Sequence, residues 1–229
     1  MKNIIQTEKL PQENVREYIY RVIRDNILNL TLPPGASISE PAVANILHVS
    51  RTPVREAFIR LSEDKLLCIQ PQRGTTVTLL DIELINESVF MRATLETEIL
   101  RSACADFPAA ALMELEINLF TQNSLVTNQF DPLRFHQLDN DFHALIFSGC
   151  AHNYSWEFLN RFNSHHRRLR MFEMNNEMYL LLIVKQHQQI FDAIKNKDAS
   201  AIGEIVRNHL LNFLPNLDLL RKKQPEYFL

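Results

Sequence analysis

At 229 residues, with 46% apolar content and a formal net charge of −3, the chain can bury one or two real cores and carries no overall positive excess. Only four glycines argue against glycine-rich phosphate-cradling loops, and three scattered cysteines argue against a disulfide framework or zinc knuckle. Cys68, Cys104 and Cys150 therefore read as buried free thiols of a reducing cytosol, and the longest apolar run, Tyr179 to Val184, is far too short to span a bilayer.

In chain order, residues 13–30 place Val15, Ile19, Val22, Ile23 and Ile27 at helical spacing and end at Pro33-Pro34-Gly35. Ser39 can cap a second helix with Pro41 in its first turn and Val43, Ile46 and Leu47 facing inward. A third helix opens at Val49-Ser50-Arg51-Thr52-Pro53-Val54-Arg55-Glu56-Ala57 and runs to about Asp64, with Ser50 as its cap. Arg51 and Arg55 are four apart and share one face, while Val54, Phe58 and Leu61 hold the opposite one. Two short strands, 66–70 and 75–79, flank Pro71-Gln72-Arg73-Gly74, where Gly74 supplies the turn and Arg73 its tip. Three helices followed by a hairpin is the winged helix-turn-helix order, which presents the third helix to a major groove and the wing to neighbouring backbone. Charge has the matching sign: ten Lys/Arg against eight Asp/Glu up to residue 78 (+2), then fourteen against nineteen (−5).

From Asp81 the pattern is helical almost throughout, with helices expected at 81–106, 108–127, 132–149, 153–172, 177–196 and 199–221. The fold class expected is mainly α, a winged helix-turn-helix over 1–78 and an all-α bundle over 79–229. Within the bundle, Asp139 and His143 are four apart on a stripe shared with Phe135, Phe142 and Ile146. His187 falls in phase with Leu180, Val184, Phe191 and Ile194, and His209 with Ile202, Val206 and Phe213. One carboxylate and three imidazoles inside a bundle are costly unless they satisfy one another or share a cation, and that donor set suits Zn²⁺, Ni²⁺, Mn²⁺ or Fe²⁺. His48, His136, His152, His165 and His166 read as surface or loop residues, and the run with Arg167, Arg168 and Arg170 as a solvated face. Arg92 and Glu96 are either a surface ion pair or an arginine reaching into a ligand cavity.

Residues 33–78 resemble the GntR superfamily of bacterial transcription regulators through Pro34-Gly35, Ser39-Glu40, the VSRTPVREA run and PQRG followed by Val77. The remainder is similar to the FCD type of the FadR-like branch at Arg92-x-x-Leu95-Glu96, Asp139-x-x-x-His143, His187 before Phe191-Asp192-Ala193-Ile194, and Asn208-His209-Leu210. The resemblance implies a cytoplasmic, non-enzymatic homodimer on a palindromic double-stranded operator, expected to repress and responsive to a small carboxylate near the metal. By position it implies DNA contacts from Arg51, Thr52, Arg55, Arg73 and Gly74, metal ligation by Asp139, His143, His187 and His209, and an effector contact from Arg92. Two departures stand out: Pro41 where fatty-acid-responsive members have arginine, and a Ser148–Asn153 stretch longer than the usual Ser-Gly-Asn turn. The alternatives are a regulator for which the metal itself is the signal, and a metallohydrolase using the Asp/His₃ set.

Overall fold

The structure is a computed structural model that describes residues 4–174, 176–212 and 214–229; Phe213, placed by phase beside His209, lies outside them. The chain divides into two compact units, one of residues 1–82, 167–169 and 218–229, the other of residues 83–166 and 170–217.

The first unit opens with α1 (Val15–Leu28), started by a capping box in which Asn14 and Glu17 satisfy each other's backbone N–H. Ile19, Ile23 and Ile27 are fully buried along one stripe of this helix, each stabilising the fold by roughly 1.5–3 kcal/mol. Val15 is 42% exposed, because the first turn projects beyond the core. Buried Asn26 receives the backbone N–H of Ile5 and donates to its carbonyl, which fastens the N-terminal arm to α1.

Next come β1 (Ser37–Ile38), α2 (Glu40–Leu47) and α3 (Arg51–Glu63). Ser39 and Ser50 occupy the N-cap positions with extended backbone, but neither hydroxyl caps an N–H, so the expected side-chain caps are absent at both. The wing pairs β2 (Leu67–Gln70) with β3 (Gly74–Val77) in antiparallel register, Leu67 opposite Val77 and Gln70 opposite Gly74. The two-residue β1, too short to leave a sequence signal, adds to the far side of β3 and gives the order β1-β3-β2. Val54, Ala57, Phe58 and Leu61 of α3 close the core against α1 and the sheet. Cys68, expected buried, is exposed on β2; Cys104 is buried and Cys150 half-buried.

The second unit contains α4 (Ile82–Ala105), α5 (Ala109–Ser124), a π-helical turn at Leu125–Gln129 and α6 (Pro132–Gly149). Asp131 caps α6 by accepting from the Arg134 N–H. The single helix expected over 153–172 is broken at Asn163 into α7 (Asn153–Phe162) and α8 (Ser164–Met171). After α9 (Glu177–Lys195), the helix expected over 199–221 is likewise two, α10 (Ile202–Leu210) and α11 (Leu214–Lys223). Packing of α5 between α6 and α9, with α10 on α9, brings the stripes of four helices together. No helix among the described residues is long and apolar enough to cross a membrane.

Candidate DNA-reading surface and metal centre

The helix-turn-helix corner is made by His48, whose left-handed backbone (φ 54°) ends α2, and by the Val49 N–H reaching back to the Ala44 carbonyl at 3.0 Å. This turn sends α3 outward with Arg51, Thr52 and Arg55 all exposed while Val54 and Phe58 point into the core. The wing turn has Gln72 at φ 63° and Gly74 at φ 102°, the second of which a side chain rarely adopts, and Arg73 between them is exposed. Pro41 sits exposed in the first turn of α2 and offers no donor where a related arginine would.

In the second unit, Asp139 and His143 of α6, His187 of α9 and His209 of α10 are all buried, and their ligand atoms lie within 4.8 Å of one another. His143 Nε2 is 3.1 Å from His209 Nε2, and His187 Nε2 is 3.6 Å from Asp139 Oδ1. An ion bound at the ~2.0–2.2 Å usual for imidazole and carboxylate would separate adjacent donors by about 3–3.5 Å, so these spacings fit. His187 Nε2 is buried without a hydrogen-bond partner, an atom left for such an ion. The His187 ring is clamped by Phe142, stacked at 4.2 Å between centroids, and His143 by Trp156 at 6.0 Å.

Protonation states agree with ligation. Burial pushes the His187 imidazole down to about 3 and the His209 imidazole well below its ordinary value, neighbouring histidines adding to both effects. Burial alone would raise the Asp139 carboxyl, but the Arg170 guanidinium beside it holds it well below the usual carboxylate range. Arg170 meets Asp139 in two parallel bonds, 3.0 and 2.8 Å. Each histidine turns its other nitrogen to a partner: His143 Nδ1 to Glu96 Oε2 (3.1 Å), His187 Nδ1 to Gln122 Oε1 (2.7 Å) and His209 Nδ1 to Gln186 Oε1 (3.1 Å). Zn²⁺, Ni²⁺, Mn²⁺ or Fe²⁺ would find here three imidazoles, those of His187 and His209 disfavoured as cations by burial, and one carboxylate.

Several surroundings differ from the sequence expectation. Arg92 and Glu96 are not a surface pair; both are buried, Arg92 donating to Glu96, and burial's upward push on Glu96 is overcome by Arg92 and His143, bringing it to about 2. His136, His165 and His166 are buried, whereas His48 and His152 are exposed as expected. The Arg168 and Arg170 positions of α8 are buried rather than solvated, because each guanidinium has a specific acceptor. Arg170 has Asp139, and within the first unit Arg168 donates to the Thr78 carbonyl at 2.7 Å. Gln122 and Gln186 were not legible as site residues, though both interrupt otherwise apolar stripes (Leu115, Leu119; Ile183, Ile190). A groove of about 710 Å³ between α5, α6 and α7 is lined by Asn118, Leu138 and Trp156, and none of the four candidate ligands lines it.

Comparison with known proteins is decisive at this point. The family model of bacterial regulatory proteins, gntR family, matches residues 15–77, and that of the FCD domain matches residues 87–212. The chain belongs to the GntR family and carries an FCD domain. The HTH-type transcriptional repressor RspR of Escherichia coli is 28% identical over 98% of both chains. An HTH-type transcriptional regulator in an unstable DNA locus of Streptomyces ambofaciens is 30% identical over 93% of this chain and 89% of that one. Among solved structures, a GntR transcriptional regulator from Rhodococcus sp. RHA1 gives a TM-score of 0.71 at 24% identity, covering 86% of this chain and 94% of that one. E. coli McbR/YncC gives 0.76 at 18% identity over 92% and 98%; at these identities the likeness concerns the fold. This GntR/FCD chain is a transcription regulator, and the metallohydrolase alternative falls, since the matching families are DNA-binding regulators rather than enzymes.

Proposed function

We propose that this regulator is a cytoplasmic repressor that binds a palindromic operator as a homodimer and is released by a small carboxylate metabolite at a metal-containing site. In this reading the modules are residues 1–78 for DNA and 79–229 for metal, effector and dimer contacts. Arg51, Thr52 and Arg55 enter the major groove, where arginine pairs with guanine edges or clamps phosphate, and Arg73 with Gly74 brings the wing to adjoining backbone. Asp139, His143, His187 and His209 hold the divalent ion, which would supply a positive centre able to orient a carboxylate.

The observation that carries the metal reading is the unpartnered, buried His187 Nε2 among the Nε2 atoms of His143 and His209 and the Asp139 carboxylate. Charge favours an anionic effector. Asp139 is offset by Arg170 and Glu96 by Arg92, so a divalent ion held by the histidines adds two positive charges to a buried site. Arg92, held by Glu96, is the candidate for a contact to the effector. Control requires the effector to bind the two conformations unequally.

The test is elemental analysis of purified protein, followed by operator binding with and without chelator and with a panel of small carboxylates. Bound divalent metal, and carboxylate release of DNA that chelation abolishes, support the proposal. Loss of DNA binding on chelation alone would instead make the ion the signal. A metal-free protein that still responds to a carboxylate would refute the metal site.

A further inference from the structure

A metal site presents the correct imidazole nitrogen only if its tautomer is fixed, and around this cluster the hydrogen bonds determine which nitrogen carries the proton. Gln122 donates its amide nitrogen to Asn118 Oδ1 at 2.6 Å and points it also at the Leu138 carbonyl, 3.4 Å away. The Asn118 amide nitrogen in turn donates to that same Leu138 carbonyl at 3.1 Å. Both acceptors require the nitrogen end of the Gln122 amide, so its oxygen must face His187 Nδ1 at 2.7 Å. An oxygen there admits only an N–H, so His187 Nδ1 carries the proton and Nε2 a lone pair.

The same logic holds on α9. Gln186 donates its nitrogen to the Asn208 carbonyl at 3.3 Å, and its oxygen receives His209 Nδ1 at 3.1 Å and the Asn212 amide at 3.3 Å. His209 is thereby also protonated at Nδ1. For His143 the acceptor facing Nδ1 is the Glu96 carboxylate. His143 Nε2 and His209 Nε2 meet at 3.1 Å in this buried site. With both Nδ1 atoms turned to acceptors, that contact needs a positive centre: a metal ion between the two lone pairs, or a second proton on one ring.

We propose that Gln122 and Gln186 are positioning residues that set the tautomers of His187 and His209, so that the Nε2 lone pairs are presented before the ion arrives. Neither amide touches the ion; each acts through its histidine, as the Glu96 carboxylate does through His143. The inference rests on the metal reading, but its structural half concerns the metal-free protein and is measured there.

The experiment uses the full chain labelled with ¹⁵N-histidine, without metal, and then competition for zinc against a chromophoric chelator. In the parent protein the ring resonances of His187 and His209 should show protonated Nδ1 and unprotonated Nε2. Gln122→Met and Gln186→Met remove the oxygen at nearly constant volume, and each should release its own histidine to the other tautomer and weaken zinc binding by roughly 10–100-fold. Gln186→Glu keeps the acceptor and should return to the parent's affinity, a rescue that a merely space-filling role would not give. The thermal midpoint without metal checks folding; should Gln122→Met fail to fold, Gln186→Met and Gln186→Glu decide the matter from α9. Nε2–H rings in the parent, parent-like zinc affinity in the Met variants, or Gln186→Glu as weak as Gln186→Met would overturn the proposal. A parent protein with the expected tautomers that takes up no zinc refutes the metal reading while leaving the tautomer assignment supported.

Discussion

The Asp139–Arg170 pair gives the sharpest energetic prediction. Both side chains are nearly fully buried (3% and 4% exposed) and meet through two parallel bonds at 2.8 and 3.0 Å. Arg170→Met strands the Asp139 carboxylate in the bundle, and Asp139→Asn strands the guanidinium, so each should cost about 3–5 kcal/mol in metal-free protein. Removing both charges together, in Asp139→Leu/Arg170→Met, should cost far less than the sum, because no uncompensated charge remains buried. The chain has a single tryptophan, and Trp156 stacks on His143, so its fluorescence in a urea titration follows this unit alone. Saturating zinc should recover part of the Arg170→Met loss, since the ion supplies the carboxylate's missing partner and binds only the folded state. A single-variant cost under about 1 kcal/mol, as at an exposed ion pair, would refute the reasoning, as would a double variant that is simply additive.

Two further predictions concern the first unit. The Tyr20 hydroxyl donates to Asp64, and burial together with that bond raises it to about 12 from an ordinary value of 10.0. The protonated form is favoured in the folded state, so the contribution is complete below pH 10 and lost as pH rises through 12; Tyr20→Phe should be less stable at neutral pH and lack that part of the alkaline decline in circular-dichroism denaturation. At Gly74 a Cβ would meet nothing within 4 Å, but φ is 102°, so Gly74→Ala should cost about 1–3 kcal/mol from backbone strain alone and weaken DNA binding through the wing while leaving α3 folded.

Much of this architecture was legible because it follows from local rules. The apolar stripe of Ile19, Ile23 and Ile27, the Pro33-Pro34-Gly35 stop and the Arg73-Gly74 turn each have one physical meaning, and the observed elements fall close to where those signals place them. The phase of Asp139, His143, His187 and His209 likewise put all four inside. The misread features depend on partners distant in sequence. Ser164–Met171 is so polar that it reads as surface, yet Arg168 and Arg170 are buried because Thr78 and Asp139 meet them. Arg92 and Glu96 have helix spacing typical of an exposed pair, and only the nearness of His143 reveals their buried role. Helix breaks at Asn163 and after Leu210 carry neither proline nor glycine within the turn itself, so pattern alone runs the helices on.

The most direct test of the regulator as described is fluorescence anisotropy on an operator selected in vitro, comparing the parent chain with Arg51→Ala and Arg55→Ala. Both arginines are exposed on α3 and pack against nothing in the core, so the variants should fold normally. Each should lose about 1–3 kcal/mol of binding, with relaxed specificity where a base contact is lost or a shallower salt dependence where a phosphate contact is lost. Parent-like affinity and sequence preference in both variants would contradict the assignment of α3 as the DNA-reading helix.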